Sequence, residues 1–110
     1  MSDSNTLLKE IKHEIAEFML ARKWEPFHSP KNLSMSIAIE AAELMEHFQW
    51  LSPAESRQSL KDPNSKDIIA DELADILIYC FTFANQADID VSSAIRQKML
   101  RNEARFPVSK

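Results

Sequence analysis

The sequence predicts an all-α protein with four long helices and one short one. Apolar residues recur three and four positions apart through most of the chain, which is the period of an amphipathic helix. Proline and short polar residues separate these segments where helices commonly begin and end. No segment shows the strict apolar–polar alternation of a half-buried strand. We expect residues 1–110 to form a single domain with helices over residues 6–23, 30–49, 52–60, 65–86 and 91–103.

The first two predicted helices flank a loop that carries both proline and aromatic side chains. Apolar positions from Leu7 to Met19 define the first helix. The loop contains Trp24 and Phe27, and exposed loops seldom carry such residues unless these pack or bind something. The second helix is apolar on nearly all of its faces, which indicates burial from several directions, part of it by another subunit.

Start signals define the later helices. Ser52-Pro53-Ala54-Glu55 has the form of a capping box with proline at the first helical position, and it predicts the short helix. A turn is expected over residues 61–65. The long helix after it is apolar on every face from Ile76 onward, so we expect it at the centre of the fold. Asp90 can cap the last helix, and Pro107 stops it.

Two pairs of carboxylates lie on the two most apolar helices. Glu40 and Glu43 are three residues apart, as are Glu72 and Asp75, so each pair shares one helix face. Like charges at this spacing destabilise a helix by roughly 0.2–0.5 kcal/mol per pair, and apolar neighbours raise that cost. No Lys or Arg lies within one turn of any of the four. Either the pairs form a solvated acidic face, or they hold a divalent cation that prefers oxygen ligands, Mg²⁺ or Mn²⁺.

The sequence matches other kinds of metal site less well. A di-iron bundle needs two Glu-x-x-His motifs, and the sequence contains one, from Glu10 to His13. Glu46 projects away from the carboxylate face. His47 flanks that face and is more typical of a hydrogen-bonding neighbour than of a ligand for Mg²⁺.

Composition excludes several functional classes. The formal net charge of -4 argues against nucleic acid or an anionic membrane surface as a partner. The absence of glycine excludes the glycine-rich phosphate loops of P-loop and Rossmann proteins. The single cysteine, Cys80, lies in an apolar run and is expected to be a core residue. We expect a cytoplasmic protein, because no secretory signal is visible and the longest uncharged stretch is too short to span a bilayer.

Four blocks of the sequence, in chain order, carry a resemblance to known proteins. The blocks are Trp24-Glu25-x-Phe27-His28-x-Pro30-Lys31-Asn32-Leu33, Glu40-x-x-Glu43-Leu44-x-Glu46-x-Phe48-Gln49-Trp50, Asp71-Glu72-Leu73-Ala74-Asp75-Ile76-Leu77-Ile78-Tyr79 and Lys98-x-x-x-Asn102-x-x-Arg105-Phe106-Pro107. They resemble the MazG-like family of all-α nucleoside triphosphate pyrophosphohydrolases, and within it the dCTP pyrophosphatase branch. Ala41 and Ala42 stand where Val-Gly is expected in the branch, a small-for-small change.

The resemblance implies a four-helix bundle that assembles as a dimer or as a tetramer built from two dimers. It implies hydrolysis of a (deoxy)nucleoside triphosphate to the monophosphate and pyrophosphate, as house-cleaning of the dNTP pool. The implied metal ligands are Glu40, Glu43, Glu72 and Asp75. The implied substrate contacts are Trp24, His28, Lys31, Trp50, Tyr79, Lys98 and Asn102.

A mechanism follows from these implied roles. Cations held by the carboxylates would reverse the sign of the acidic pocket, admit the triphosphate and activate a water. Glu43 and Glu40 are the catalytic candidates on the carboxylate side, with Glu43 expected to orient or deprotonate the water. Lys98 is expected to stabilise the leaving pyrophosphate. The alternative is a non-catalytic helical module for oligomerisation or regulation, with a structural metal site.

Overall fold

A computed structural model describes residues 1–109 of the chain, and those residues form helices and no β-strand. A 3₁₀ turn at Glu25–Phe27 follows the first helix. The all-α prediction is confirmed. The helices are α1 (Leu8–Ala21), α2 (Pro30–Glu46), α3 (Pro53–Ser59), α4 (Pro63–Ala87) and α5 (Val91–Arg105).

Four of the five helices begin at a side-chain cap. The predicted cap of α5 is present, because Asp90 Oδ1 accepts a hydrogen bond of 2.9 Å from the Ser93 amide. The predicted capping box of α3 is also present, with Ser52 and Glu55 bonded reciprocally. Ser29 caps α2 and Asp62 caps α4 in the same way. Each such cap stabilises its helix by about 1 kcal/mol.

Several helix boundaries differ from the prediction by two or three residues. The turn expected over residues 61–65 is shorter, because Asp62 is the cap and Pro63 already occupies the first helical position of α4. At the end of α2, the amides of His47 and Phe48 bond three residues back, to Leu44 and Met45. This tighter pattern ends the helix at Glu46 rather than near residue 49. Helix α1 begins two residues later and ends two residues earlier than expected, at Leu8 and Ala21, and α5 continues two residues further than expected, to Arg105.

Helix α4 is central to the described fold, as its apolar sequence predicts. Its main contacts are with α2 and with α1. The most deeply buried side chains are few, with Leu33 fully enclosed. They are Met19, Leu33, Thr82 and Ala84. A closed four-helix bundle and its assembly therefore stay predictions.

The end of α4 and the turn that follows it are each tied to α1 by one hydrogen bond. Lys12 Nζ donates to the Ile89 carbonyl at 2.9 Å, and Asn85 Nδ2 donates to the Lys12 carbonyl at 3.0 Å. Asp88 ends α4 in the left-handed region with φ 54°, and Lys23 adopts φ 57° after α1. Among the described residues, no helix is long and apolar enough to cross a membrane.

Candidate active site

The contact between α2 and α4 brings three carboxylates together. One oxygen each of Glu40, Glu43 and Glu72 lies within 4.8 Å of the others. All three side chains are half-buried. The three-residue spacing places Glu40 and Glu43 on one face of α2, and helix packing adds Glu72 from α4. The sequence predicted this convergence of two acidic faces, and the structure shows it for three of the four carboxylates.

The cluster is electrostatically unfavourable without a counter-ion. Glu40 Oε2 and Glu72 Oε2 are buried and have no hydrogen-bond partner among the described residues. Burial raises the pKa of the Glu40 carboxyl above its ordinary value, and the neighbouring carboxylates of Glu43, Asp75 and Glu72 raise it further. Buried charges in proteins are normally paired or bind metals. Three converging carboxylates, two of which have a buried oxygen without a hydrogen-bond partner, fit a cation that prefers hard ligands, such as Mg²⁺ or Mn²⁺.

Two residues lie at the margin of this cluster. Asp75 is exposed and is not one of the three converging carboxylates, although its charge acts on Glu40. Its predicted role as a metal ligand stays a prediction. His47 Nε2 lies 3.7 Å from Glu72 Oε1, beside the carboxylate face as the sequence predicted. An imidazole there can restrain the Glu72 carboxylate from outside the cluster.

A row of aromatic rings continues from the cluster along α4. The rings of His28 and Tyr79 are 6.4 Å apart between centroids, and those of Trp24 and His28 are 6.2 Å apart. Phe18 of α1 meets Trp24 edge-on at 5.7 Å. Tyr79 lies one turn beyond Asp75 on α4, so the row begins next to the carboxylates. Three predicted substrate contacts, those of Trp24, His28 and Tyr79, are therefore neighbours.

A groove of about 430 Å³ opens beside this row, between α1, the 3₁₀ turn and α4. Its polar lining includes residues that the sequence interpretation did not single out. The sequence does carry a signal for Thr82, Asn85 and Gln86, because these polar side chains interrupt the otherwise apolar end of α4. Their chemistry could be read only once α1 was placed against them. The lining residues are Ile15, Ala16, Met19, Glu25, His28, Thr82, Asn85 and Gln86.

Four other predicted substrate contacts are spread over separate elements. Trp50 is 87% exposed in the turn after α2, and the aromatic pairs of the described residues do not include it. Lys31 is exposed in the first turn of α2. On α5, Lys98 is exposed and Asn102 is half-buried. Their roles stay predictions.

Comparison with known proteins gives consistent matches. Residues 35–110 match the model of the MazG-like family. The chain is 39% identical over 101 residues to dCTP pyrophosphatase 1 of Rattus norvegicus, a match covering 92% of this chain and 59% of the relative. It is 36% identical over 100 residues to dCTP pyrophosphatase 1 of Homo sapiens, covering 91% of this chain and 59% of the relative. The chain thus spans less than two thirds of the length of the curated relatives it matches.

A solved structure matches over nearly its whole length. The crystal structure of a pyrophosphatase from Archaeoglobus fulgidus aligns with a TM-score of 0.87 and 36% sequence identity. The alignment covers 98% of this chain and 99% of the archaeal chain. The helical arrangement described above is therefore shared with a protein of similar size.

Proposed function

This chain belongs to the MazG-like family, and from that premise we propose that it hydrolyses a (deoxy)nucleoside triphosphate to the monophosphate and pyrophosphate. The relatives named dCTP pyrophosphatase favour dCTP, or a related or modified dNTP, as the substrate. The observation that carries the proposal is the cluster of Glu40, Glu43 and Glu72, in which one buried oxygen each of Glu40 and Glu72 lacks a hydrogen-bond partner among the described residues. House-cleaning of the dNTP pool is the proposed role.

The proposed metal ligands are Glu40, Glu43 and Glu72, with Asp75 at the edge of the set. When bound, Mg²⁺ or Mn²⁺ would supply charge neutralisation at the phosphates and a lower pKa for a coordinated water. The cluster supports this role because burial, and after it the neighbouring carboxylates, raise the pKa of Glu40 and so disfavour its charge without a cation.

The proposed work of the protein's own side chains is binding and proton handling. Glu43 is the candidate to hold the attacking water by a hydrogen bond and to accept its proton, with Glu40 beside it. Lys98 is proposed to stabilise negative charge on the leaving pyrophosphate. The rings of Trp24, His28 and Tyr79 offer flat surfaces for the base, and stacking on one such ring is worth roughly 1–3 kcal/mol. Lys31, Trp50 and Asn102 complete the proposed substrate contacts.

We also propose that residues 1–110 act as one domain, in the cytoplasm, as a dimer or tetramer. Large apolar side chains are exposed on α2, α4 and α5, the three long helices that follow the 3₁₀ turn. Contiguous exposed apolar surface commonly marks a protein–protein interface. Those side chains include Met35, Ile39 and Met45 of α2, Leu73 and Leu77 of α4, and Ile95, Met99 and Leu100 of α5.

The test is pyrophosphate release from a panel of nucleoside triphosphates with Mg²⁺. We expect turnover of dCTP or another dNTP, and its loss in Glu43→Gln. Glu46→Gln is the matched control, because Glu46 is an exposed glutamate three residues further along the same helix. A folded protein that turns over no nucleotide would overturn the enzyme proposal. It would favour a non-catalytic oligomerisation or regulatory module with a structural metal site.

A further inference from the structure

The groove between α1 and α4 has polar groups whose hydrogen-bonding roles are already fixed. Asn85 Nδ2 donates to the Lys12 carbonyl at 3.0 Å. A carbonyl oxygen only accepts, so this bond determines which way round the Asn85 amide lies. The other end of that amide, Oδ1, is left as an acceptor.

Thr82 is fixed in the same sense. Its hydroxyl donates to the Ile78 carbonyl at 2.7 Å, which uses the single hydrogen that a threonine side chain can donate. The side chain is buried, so its remaining lone pairs face protein or groove rather than bulk water. Glu25, at the rim of the groove, can only accept when ionised. His28 and Gln86 can each donate or accept, so they do not decide the balance.

The groove also lies at a suitable distance from the carboxylates. Thr82 follows Asp75 by seven residues, which places both on one face of α4 about 10 Å apart along the axis. Tyr79 lies between them, and its ring neighbours that of His28, which lines the groove. A sugar and an α-phosphate fill such a gap when the base sits at one end and the phosphates at the other.

We propose that Thr82 and Asn85 read the base of the substrate and select one with an exocyclic amino group, cytosine in the case of dCTP. This inference rests on the proposed function. An amino group supplies two N–H donors for two fixed acceptors, whereas uracil presents a carbonyl oxygen at the same position. That oxygen would face acceptors and leave them unpaired, which is how buried polar groups reject a near-identical ligand.

The test compares dCMP with dUMP, since the monophosphates bind without hydrolysis. Affinity is measured by calorimetry in the presence of Mg²⁺, and kcat/KM is measured for dCTP against dUTP under the same conditions. We expect the parent protein to favour the cytosine nucleotide by at least roughly tenfold. Thr82→Val removes the acceptor at nearly constant shape and should reduce that preference by roughly three- to tenfold. Thr82→Ser keeps the hydroxyl and should retain it.

The two proposals fail in different ways. Equal affinity for dCMP and dUMP, or a preference unchanged in Thr82→Val, would overturn base reading even if dNTPs are hydrolysed. A preference for dCMP that is lost in Thr82→Val and kept in Thr82→Ser would support base reading, even if no triphosphate were hydrolysed. Melting temperatures of both variants within a few degrees of the parent establish that the effect is not unfolding.

Discussion

The α2–α4 contact and helix α5 differ in what holds their proposed functional residues. On α2 and α4, helix packing brings three carboxylates within 4.8 Å of one another. Helix α5 carries Lys98 and Asn102, and the hydrogen bond that anchors this end of the chain to α1 lies in the turn before α5, where Lys12 donates to the Ile89 carbonyl. Along its length α5 exposes Ile95, Met99 and Leu100.

This difference distinguishes the part of the proposed site that a single protomer completes from the part that a single protomer leaves exposed. The carboxylate cluster is assembled by contacts within the chain, so its chemistry should be present in any folded form. The apolar side chains of α5 lack cover in the described part of the chain, and a second subunit is our proposal for what covers them. Substitutions in the two regions should therefore have effects that differ in size and in the property they change.

The largest effect is expected at the cluster. Glu72→Gln keeps the shape of the side chain but removes one negative charge from the proposed metal site. We expect pyrophosphate release to fall by on the order of a thousandfold, because a catalytic cation contributes several kcal/mol. Mn²⁺ affinity, measured by calorimetry, should fall with it. Asp71→Asn, at an exposed neighbour on the same helix, is the control and should leave both unchanged.

An intermediate effect is expected on α5. Lys98→Met should lower kcat/KM for the triphosphate by roughly tenfold, because a charge-assisted hydrogen bond to the leaving pyrophosphate is lost, while Mn²⁺ affinity stays at the parent value. Lys98→Arg should recover most of the loss. The comparison between the two regions would be broken if Lys98→Met also weakened Mn²⁺ binding, since that would tie α5 to the cluster itself.

The smallest effect concerns stability. The folded protein holds the Glu40 proton to higher pH than the unfolded chain, because burial and the neighbouring carboxylates raise its pKa above 4.5. Without metal, the contribution of Glu40 to the free energy of unfolding therefore falls as pH rises from about 4.5 through the raised pKa. Glu40→Gln removes that loss, so the melting temperature at pH 7 without metal should rise by a few degrees.

The control for that measurement is the difference in melting temperature between Glu40→Gln and the parent protein, followed across pH. Glu55 and Asp90 have pKa values lowered by hydrogen bonds with Ser52 and Ser93, so they change stability in the opposite direction in both proteins. Adding Mg²⁺ should stabilise the parent more than Glu40→Gln. If Glu40→Gln melted at a lower temperature than the parent without metal, the charged Glu40 carboxylate would not destabilise the folded protein, which contradicts the prediction.

Local patterns in the sequence predicted the helices, the caps at Ser52 and Asp90 and the convergence of the acidic faces. These features depend on spacing of a few residues, which one helix enforces by itself. The start of α4 was placed too late although Asp62-Pro63 carries the signal. The fixed acceptors of the groove were beyond reach, because the role of Asn85 depends on the carbonyl of Lys12, 73 residues away.

The absence of glycine has a consequence for the unfolded chain. Every residue carries a β-carbon, so the unfolded ensemble samples fewer backbone conformations and loses less entropy on folding. The opposing term is at Lys23 and Asp88, where a left-handed backbone costs roughly 1–2 kcal/mol in a residue with a β-carbon. Aspartate tolerates this conformation better than lysine. The bend after α1, next to the aromatic row, is therefore the more strained of the two.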